Sequence, residues 1–464
     1  MKKGDIIRDL HITDIASDGK ALGKVDGQVV FVPGLVPGDV ADVQLYRKRR
    51  RYAEGRLMEL KKESPDRISP RCEHFGTCGG CKWQNMTYEA QLRFKENHVR
   101  ENLRKLSHVE LTDLNTILPS EEQYDYRNKL EFTFSNKRWL TDKEVSSGVE
   151  FDSRHALGFH VPGMFDKVVD LSECHLQGKV SNEIREYVRK RSVELNIPYF
   201  DIREQSGVLR NLTIRTTTRD ETMFLLSVYS VTDEVRTLLD EVRARFPSLT
   251  SLMYVVNSKK NDSIFDLEVQ LHSGQAYITE KMMDLKYRIG PKSFYQTNSR
   301  QAEKLYRVVS GMASLKGDEL VYDLYTGTGT IANYLAGSCR AVVGVEYIEE
   351  AVEDARQNAS LNNIENSTFF SGDLKDVLSA DFFQTHGQPS VIVTDPPRAG
   401  MHEDVTRAMA SSGAETIVYV SCNSASQARD LGILDQNYKV VEVQPVDMFP
   451  QTAHVENVVK LQKR

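Results

Sequence analysis

The spacing of apolar residues divides the chain into stretches with different patterns. Residues 1–62 contain short runs of alternating apolar and polar residues, separated by turns at Asp26-Gly27, Pro33-Gly34 and Pro37-Gly38. Apolar residues at every second position, in short segments separated by glycine turns, predict a small β-barrel. Residues 63–290 mix strand patterns with amphipathic helices, which predicts an α+β domain. Its predicted helices are 88–106 and 181–195, and its predicted strands are 129–135, 208–215, 223–229, 251–256 and 265–271.

The third stretch, residues 291–464, alternates helices with apolar strands. The predicted strands are 319–324, 341–346, 367–371, 390–395, 416–421, 439–446 and 454–462. This alternation predicts an α/β fold with a doubly wound parallel sheet, whose ligands bind at the carboxyl ends of the strands. The last two strands are close enough in sequence to form an antiparallel edge. The predicted domains are therefore 1–62, 63–290 and 291–464.

Composition and charge narrow the function. The 464 residues contain no apolar stretch near the roughly 20 residues that span a bilayer, so we expect a cytoplasmic protein without membrane contact. No obligate protein partner is evident. The net charge is -6, yet residues 1–110 contain 21 Lys and Arg against 16 Asp and Glu. The run Arg47 to Arg51 lies between Tyr46 and Tyr52, which suits either RNA binding or a solvated charged surface.

The ends of the predicted strands carry acidic residues. Asp323 ends the first strand and leads into a turn with Gly327 and Gly329, where the backbone can approach a ligand. Glu346 ends the next strand, at the position where a carboxylate can hold ribose hydroxyls. Asp373, after the third strand, could accept from an adenine amino group. A nucleoside fits this pattern, although the glycine turn suits NAD equally well.

Two further strand ends carry chemistry. The fourth strand leads into Asp395-Pro396-Pro397, and the fifth ends in Ser421-Cys422-Asn423. Cys422 is either a nucleophile or a buried hydrophobe. The order of acidic strand ends resembles class I S-adenosylmethionine-dependent methyltransferases, with a Rossmann-like catalytic domain. Cys422, the segment Pro445 to Glu456 and the segment Phe294 to Asn298 together resemble RNA uracil-C5 methyltransferases.

The resemblance implies a chemistry for these residues. Uracil C5 reacts with a sulfonium methyl only after a thiolate has added at C6. By resemblance Cys422 is this nucleophile, and Glu456 is the base that removes the C5 proton. His454 is the alternative base by its ordinary pKa. Asp395 would hydrogen-bond the uracil edge or the cofactor's end of the site. The residues that contact S-adenosylmethionine by resemblance are Gln296, Tyr325, Thr330, Glu346 and Asp373, beside Gly327 and Gly329 of the turn.

Three cysteines, Cys72, Cys78 and Cys81, lie on one glycine-rich loop, and Cys174 is the one further cysteine of the central stretch. Four thiolates suit zinc or an iron-sulfur cluster, and their spacing does not separate the two. Residues 1–62 resemble the TRAM domain, an OB-like barrel. The nearest group within the family carries this domain and an iron-sulfur cluster, and it acts on 23S ribosomal RNA. The resemblance therefore favours a [4Fe-4S] cluster with four Cys ligands.

The leading hypothesis is an enzyme that methylates C5 of uridine in RNA, with 23S rRNA favoured over tRNA. Two alternatives stay open at this point. One is a non-catalytic RNA-binding protein on the same fold, and the other is an NAD-dependent oxidoreductase, which leaves Cys422 and Glu456 unexplained.

Overall fold

The computed structural model describes residues 1–107, 109–110, 114–149 and 154–464. The first 62 residues form a closed barrel of five strands in the order β1-β2-β3-β5-β4. Alternate side chains of its strands, such as Val30, Val32, Val43 and Leu45, are buried inside. Gly23 permits close packing, because a Cβ there would lie 2.4 Å from the carbonyl oxygen of His11. The predicted barrel is confirmed. Its strands are β1 (Ile6–Ile15), β2 (Ala21–Val25), β3 (Gln28–Val32), β4 (Val40–Lys48) and β5 (Tyr52–Lys62).

The central stretch contains a seven-stranded mixed sheet in the order β12-β11-β10-β9-β6-β7-β8. Helices α3 and α4 pack on it and share its buried apolar cluster. The helices of this stretch are α1 (Tyr88–Leu106), α2 (Asp142–Ser147), α3 (Lys179–Glu194) and α4 (Asp233–Arg245). The strands are β6 (Lys129–Ser135), β7 (Ala156–His160), β8 (Val168–Asp170), β9 (Leu209–Thr216), β10 (Thr222–Val228), β11 (Ser251–Val256) and β12 (Val269–Gly274).

The predicted strand 265–271 is displaced in the structure. Its place is taken by β12, which begins at Val269, paired with Val255 of β11. The apolar residue that suggested an earlier start, Phe265, is 64% exposed. The pattern was misread because a surface aromatic residue resembles a core position in sequence.

The third stretch forms a second seven-stranded sheet in the order β17-β16-β15-β18-β19-β21-β20. The first five strands in this order are parallel, and β21 and β20 add an antiparallel edge, as predicted. The strands are β15 (Leu320–Leu324), β16 (Ala341–Glu346), β17 (Ser367–Ser371), β18 (Val391–Thr394), β19 (Thr416–Ser421), β20 (Tyr438–Val446) and β21 (Glu456–Lys463), preceded by the hairpin β13 (Ile278–Met282) and β14 (Leu285–Ile289). The helices are α5 (Ser299–Ala313), α6 (Thr330–Ala336), α7 (Glu349–Leu361), α8 (Leu374–Val377), α9 (Ala380–His386), α10 (Glu403–Ser411) and α11 (Ser424–Leu434).

Helix α1 packs against this second sheet although it precedes the central sheet in sequence. Val99 and Leu103 of α1 belong to the same buried cluster as side chains of β18 and β19. Further along the chain, Leu114 and Leu118 make bridges to β20. Residues from the N-terminal part of the chain therefore complete the core around the second sheet. Among the described helices, none has both the length and the apolar character needed to cross a membrane.

Candidate active site

Three predicted functional residues lie at one end of three adjoining strands. Asp395 follows β18, whose Thr394 is paired with Tyr419 of β19. Cys422 follows β19, and its neighbour Ser421 is paired with Asn457 of β21. Because β21 runs antiparallel to β19, Glu456 at its beginning lies at the end of the sheet where Asp395 and Cys422 emerge.

The loop after β18 is joined to the segment after β19. Asn423 Nδ2 donates to the carbonyl oxygen of Arg398 over 3.0 Å, and Ser426 Oγ donates to the same oxygen over 3.2 Å. Asn423 also begins α11 as its N-cap, where its side chain accepts from the backbone N–H of Ala425. These bonds hold the loop that carries Asp395 next to the segment that carries Cys422.

The site concentrates negative charge in a poorly solvated place. Burial, followed by the charges of Glu456 and Asp395, raises the pKa of the Cys422 thiol to about 11. Arg398 opposes this effect, because its positive charge favours the thiolate. The sequence interpretation gave Arg398 no role, although its position directly after Asp-Pro-Pro was the available signal.

The two carboxyl groups also have shifted pKa values. Burial, then the charge of Asp395, raises the pKa of Glu456 well above the ordinary range of a carboxyl group. Burial, then the charge of Asp323, does the same for Asp395. A carboxyl group with a raised pKa holds its proton more strongly, which suits a group that receives a proton at neutral pH.

His454, the alternative base, lies in a positively charged environment. Burial of its ring lowers the pKa of His454, and the charges of Arg398, Lys95 and Arg127 lower it further. The geometry brings His454 near the site without a described hydrogen bond from its ring to either carboxylate.

The glycine turn after β15 is built around Asp323. The carboxylate of Asp323 accepts from Thr326 Oγ1 over 2.5 Å and from the backbone N–H of Ala332 over 3.1 Å. Burial raises the pKa of Asp323 to about 7. Gly329 has a φ of 74°, and a Cβ there would lie 2.9 Å from the Cβ of Ala355. Asp323 thus holds the turn in shape.

Glu346 is fixed by three backbone N–H groups. Its Oε2 accepts from Gly327 over 3.1 Å, and its Oε1 accepts from Tyr347 over 2.8 Å and from Ile348 over 3.1 Å. The predicted residues Tyr325, Gly327, Gly329 and Thr330 belong to the same turn or to the first residue of α6. A Cβ on Gly327 would meet no atom within 4 Å, so the turn leaves open space beside Glu346.

The remaining predicted cofactor residues are more loosely connected to the turn. Thr328 Oγ1 donates to the carbonyl of Phe294 over 3.4 Å, which brings the segment with Gln296 beside the turn. The backbone oxygen of Gln296 accepts from Asn128 Nδ2 over 2.8 Å. Asp373 caps α8 and makes a 3.2 Å ion pair with Lys375, yet its side chain is 40% exposed. Its capping role is a structural alternative to ligand binding.

The four cysteines of the predicted metal site line one cavity of about 110 Å³, together with His74, His175 and Arg127. Burial raises the pKa of Cys81 to about 12 and that of Cys174 to about 11. Within the described residues, no group of three or more His, Cys, Asp and Glu side chains is arranged to hold a metal ion. The structure thus brings Cys72, Cys78, Cys81 and Cys174 around one space, and the cluster itself stays a prediction.

Comparison with known proteins gives matches over the whole chain. Residues 214–464 match the family model described as tRNA (Uracil-5-)-methyltransferase, and residues 7–58 match the TRAM domain. An uncharacterized RNA methyltransferase of Porphyromonas gingivalis is 53% identical over 463 residues, covering 97% of this chain and 99% of the relative. A relative from Bacteroides thetaiotaomicron with the same description is 50% identical over 455 residues, covering 97% of this chain and 100% of the relative.

A solved structure is also similar over nearly the whole chain. It is the Pyrococcus abyssi tRNA (uracil-54, C5)-methyltransferase in complex with S-adenosyl-L-homocysteine. The TM-score is 0.77 at 29% identity, and the match covers 98% of this chain and 100% of that chain. The similarity therefore includes the barrel, the central sheet and the sheet that carries Cys422.

Proposed function

The chain belongs to the family of S-adenosylmethionine-dependent RNA uracil-5-methyltransferases, and from this premise we propose that it methylates C5 of a uridine in RNA through a transient bond between Cys422 and C6. Family membership confirms the predicted methyltransferase fold with its TRAM barrel and excludes the NAD-dependent alternative. The observation that carries the proposed mechanism is the meeting of Asp395, Cys422 and Glu456 at one end of β18, β19 and β21.

The first step uses the thiol of Cys422. Its thiolate forms a bond to C6, and the electrons of the C5=C6 double bond move into the ring to give an enolate. The charge of Arg398, which lowers the pKa of Cys422 against the effect of burial, supports formation of the thiolate. C5 is then nucleophilic enough to take a methyl group.

The second step uses Glu456. Once C5 carries the methyl group, the carboxylate of Glu456 takes the C5 proton, the C5–H electrons restore the C5=C6 bond, and the C6–S bond breaks to release the thiolate. The raised pKa of Glu456 makes it a better proton acceptor than an ordinary carboxylate. Asp395, on the neighbouring strand end, would hold the edge of the uracil ring in line for both steps.

The open space beside Glu346 fits a nucleoside cofactor. We assign Glu346 to the ribose hydroxyls, the turn with Gly327 and Gly329 to close backbone approach, and Gln296, Tyr325, Thr330 and Asp373 to further contacts. S-adenosylmethionine, when bound there, supplies an electrophilic methyl group. The three N–H groups that fix Glu346 support this assignment, because they keep the carboxylate in one orientation.

For the RNA, we propose 23S rRNA, because the TRAM barrel and the four cysteines match the group that acts on that RNA. The solved relative acts on tRNA uridine 54, so tRNA is the second candidate. Mapping 5-methyluridine by mass spectrometry in 23S rRNA and in tRNA from a strain lacking this gene tests both. We expect a modified uridine of 23S rRNA to be lost and to return when the gene is restored. Loss confined to tRNA contradicts the rRNA assignment, and loss in neither RNA contradicts uridine C5 methylation.

We further propose that Cys72, Cys78, Cys81 and Cys174 hold a [4Fe-4S] cluster. A single zinc ion needs its four ligands to meet about 2 Å from one point. The four thiols line one cavity of about 110 Å³, which has room for several atoms. A cluster there would tie the loop 72–81 to Cys174, about 100 residues further along. The proposed role is to stabilise the fold or the RNA-docking surface.

Replacing Cys174 by serine should cost most of the bound iron, because one of four thiolate ligands is lost. We expect the visible absorption of anaerobically purified protein to fall with its iron content. The unfolding temperature should fall by roughly 2 to 4 °C for each kcal/mol of lost stability. Cys339→Ser is the matched control, since Cys339 is buried away from this cavity. Full iron content in Cys174→Ser, or zinc without iron in the wild type, contradicts the assignment.

A further inference from the structure

The segment just before Glu456 is held by groups from outside its own sheet. Residues 447–452, here called the 447–452 turn, form the first part of the connection between β20 and β21. The carbonyl oxygens of its residues accept from donors in distant parts of the chain. These bonds are Asn298 Nδ2 to Met448 (3.0 Å), Lys95 Nζ to Phe449 (3.0 Å), Tyr126 Oη to Pro450 (2.9 Å), and the N–H groups of Lys82 (2.8 Å) and Trp83 (3.1 Å) to Gln451.

Helix α1 supplies the side chains that bind the turn's own polar side chains. Lys95 Nζ donates to Asp447 Oδ1 over 2.6 Å, and Tyr88 Oη donates to Asp447 Oδ2 over 2.8 Å. Gln91 exchanges two hydrogen bonds with Gln451, one of them with its backbone N–H. Gln451 has a φ of 68°, which is uncommon outside glycine and persists where the surroundings fix the backbone.

The ion pair between Lys95 and Asp447 is fully buried, with both side chains 0% exposed. Burying two charges is costly, and an apolar pair of similar volume would fill the same space without that cost. The charges provide direction, because Asp447 Oδ1 accepts from Lys95 and also from the backbone N–H of Phe449. The pair therefore links helix α1 to the backbone at the start of the turn.

This matters for Glu456 because its buried carboxylate is not fixed by hydrogen bonds of its own in the described part of the chain. Among the hydrogen bonds of the described residues, none is donated to the side chain of Glu456, whereas Glu346 accepts three. The position of the Glu456 carboxylate thus depends on the backbone at the start of β21. That backbone is held by its pairing with Val446 of β20 and by the turn that lies between the two strands.

We propose that Lys95, through its ion pair with Asp447, is a positioning residue for Glu456 and governs the step that resolves the covalent RNA adduct. The inference rests on the proposed function. Addition of Cys422 to C6 and attack of C5 on the methyl group do not use Glu456, so displacement of the turn leaves them largely intact. Removal of the C5 proton does use it, and a displacement of about 1 Å can slow such a step by about 100-fold.

Lys95→Met is the main test, since methionine fills much of the same volume without the charge. In single-turnover reactions with RNA we expect adduct formation within about two-fold of the wild-type rate, and adduct resolution slower by about ten-fold or more. The adduct is measured on denaturing gels and by mass, which also shows that it carries the methyl group. Tyr88→Phe removes one hydrogen bond to Asp447 with little change of volume. It should show the same effect more weakly, and it serves as the test if Lys95→Met does not fold.

Arg67→Met is the matched control. Arg67 pairs with Asp39, which is also 0% exposed, but this pair lies at the barrel and does not touch the turn. We expect Arg67→Met to lose thermal stability without accumulating adduct. Equal slowing of adduct formation and resolution in Lys95→Met and Tyr88→Phe, wild-type resolution in both, or accumulation in Arg67→Met overturns the inference. Absence of any adduct and any 5-methyluridine with the wild type would instead refute the proposed function.

Discussion

Cys422→Ala is expected to abolish methylation, lowering turnover by about 10,000-fold or more, because the variant lacks the thiol that is proposed to bond to C6. Without the bond to C6, C5 stays too weak a nucleophile to accept the methyl group. Binding of S-adenosylmethionine should change little, since the proposed binding groups at Glu346 and the glycine turn belong to β15, β16 and the segments after them. Calorimetry of cofactor binding and transfer of radioactive methyl to RNA measure the two effects separately.

The control for this variant is Cys339→Ala. Cys339 is buried in the connection between α6 and β16, where its thiol donates to the carbonyl of Ala341. It should keep wild-type turnover per folded molecule. Methylation by Cys422→Ala near the wild-type rate is incompatible with a covalent mechanism through this thiol.

Glu456→Gln is expected to trap the methylated RNA on the enzyme. The amide has nearly the same shape as the carboxylate but is a far weaker acceptor of the C5 proton, so the C6–S bond breaks much more slowly. Turnover should fall by about 100- to 10,000-fold, the usual contribution of a general base, while a covalent complex accumulates that resists denaturation. The variant His454→Asn tests the alternative base. We expect this variant to resolve its covalent adduct with RNA. If His454→Asn traps the adduct and Glu456→Gln turns over freely, His454 and not Glu456 is the base that removes the C5 proton.

The raised pKa of Glu456 adds a dependence on pH. The form that accepts a proton is the carboxylate, and burial with the charge of Asp395 shifts its formation to higher pH. Adduct resolution by the wild type should therefore accelerate as pH rises above the ordinary carboxyl range. The slow residual resolution of Glu456→Gln should lack this dependence. Stopped reactions over a pH series, followed by gel analysis, provide the measurement.

Most of the architecture could be predicted from the periodicity of apolar residues. The strands of the second sheet lie within a few residues of their predicted bounds, because buried parallel strands leave continuous apolar runs. The order of the strands in the sheet brings Asp395, Cys422 and Glu456 together. That order could be predicted from the resemblance to class I methyltransferases. Strand β12 was misplaced because exposed Phe265 has the same sequence character as a core residue.

Other features leave no local mark in the sequence. A lysine in an amphipathic helix predicts a solvent-exposed residue, yet Lys95 is fully buried against a carboxylate 352 residues away. Arg398 directly follows Asp395-Pro396-Pro397 in sequence, but its influence on Cys422 depends on how two loops meet in space. Such long-range pairs depend on tertiary packing, which periodicity does not encode.

The packing of α1 on the second sheet has a consequence for how these proteins can exchange parts. A chimera joined at residue 291 would separate Tyr88, Gln91 and Lys95 from the partners with which they bond. Recombination between relatives can transfer the barrel or the central sheet as a unit only if residues 88–118 are inherited together with 291–464. The exchangeable unit is thus discontinuous in the gene, and RNA preference can diversify around it while the chemistry is inherited intact.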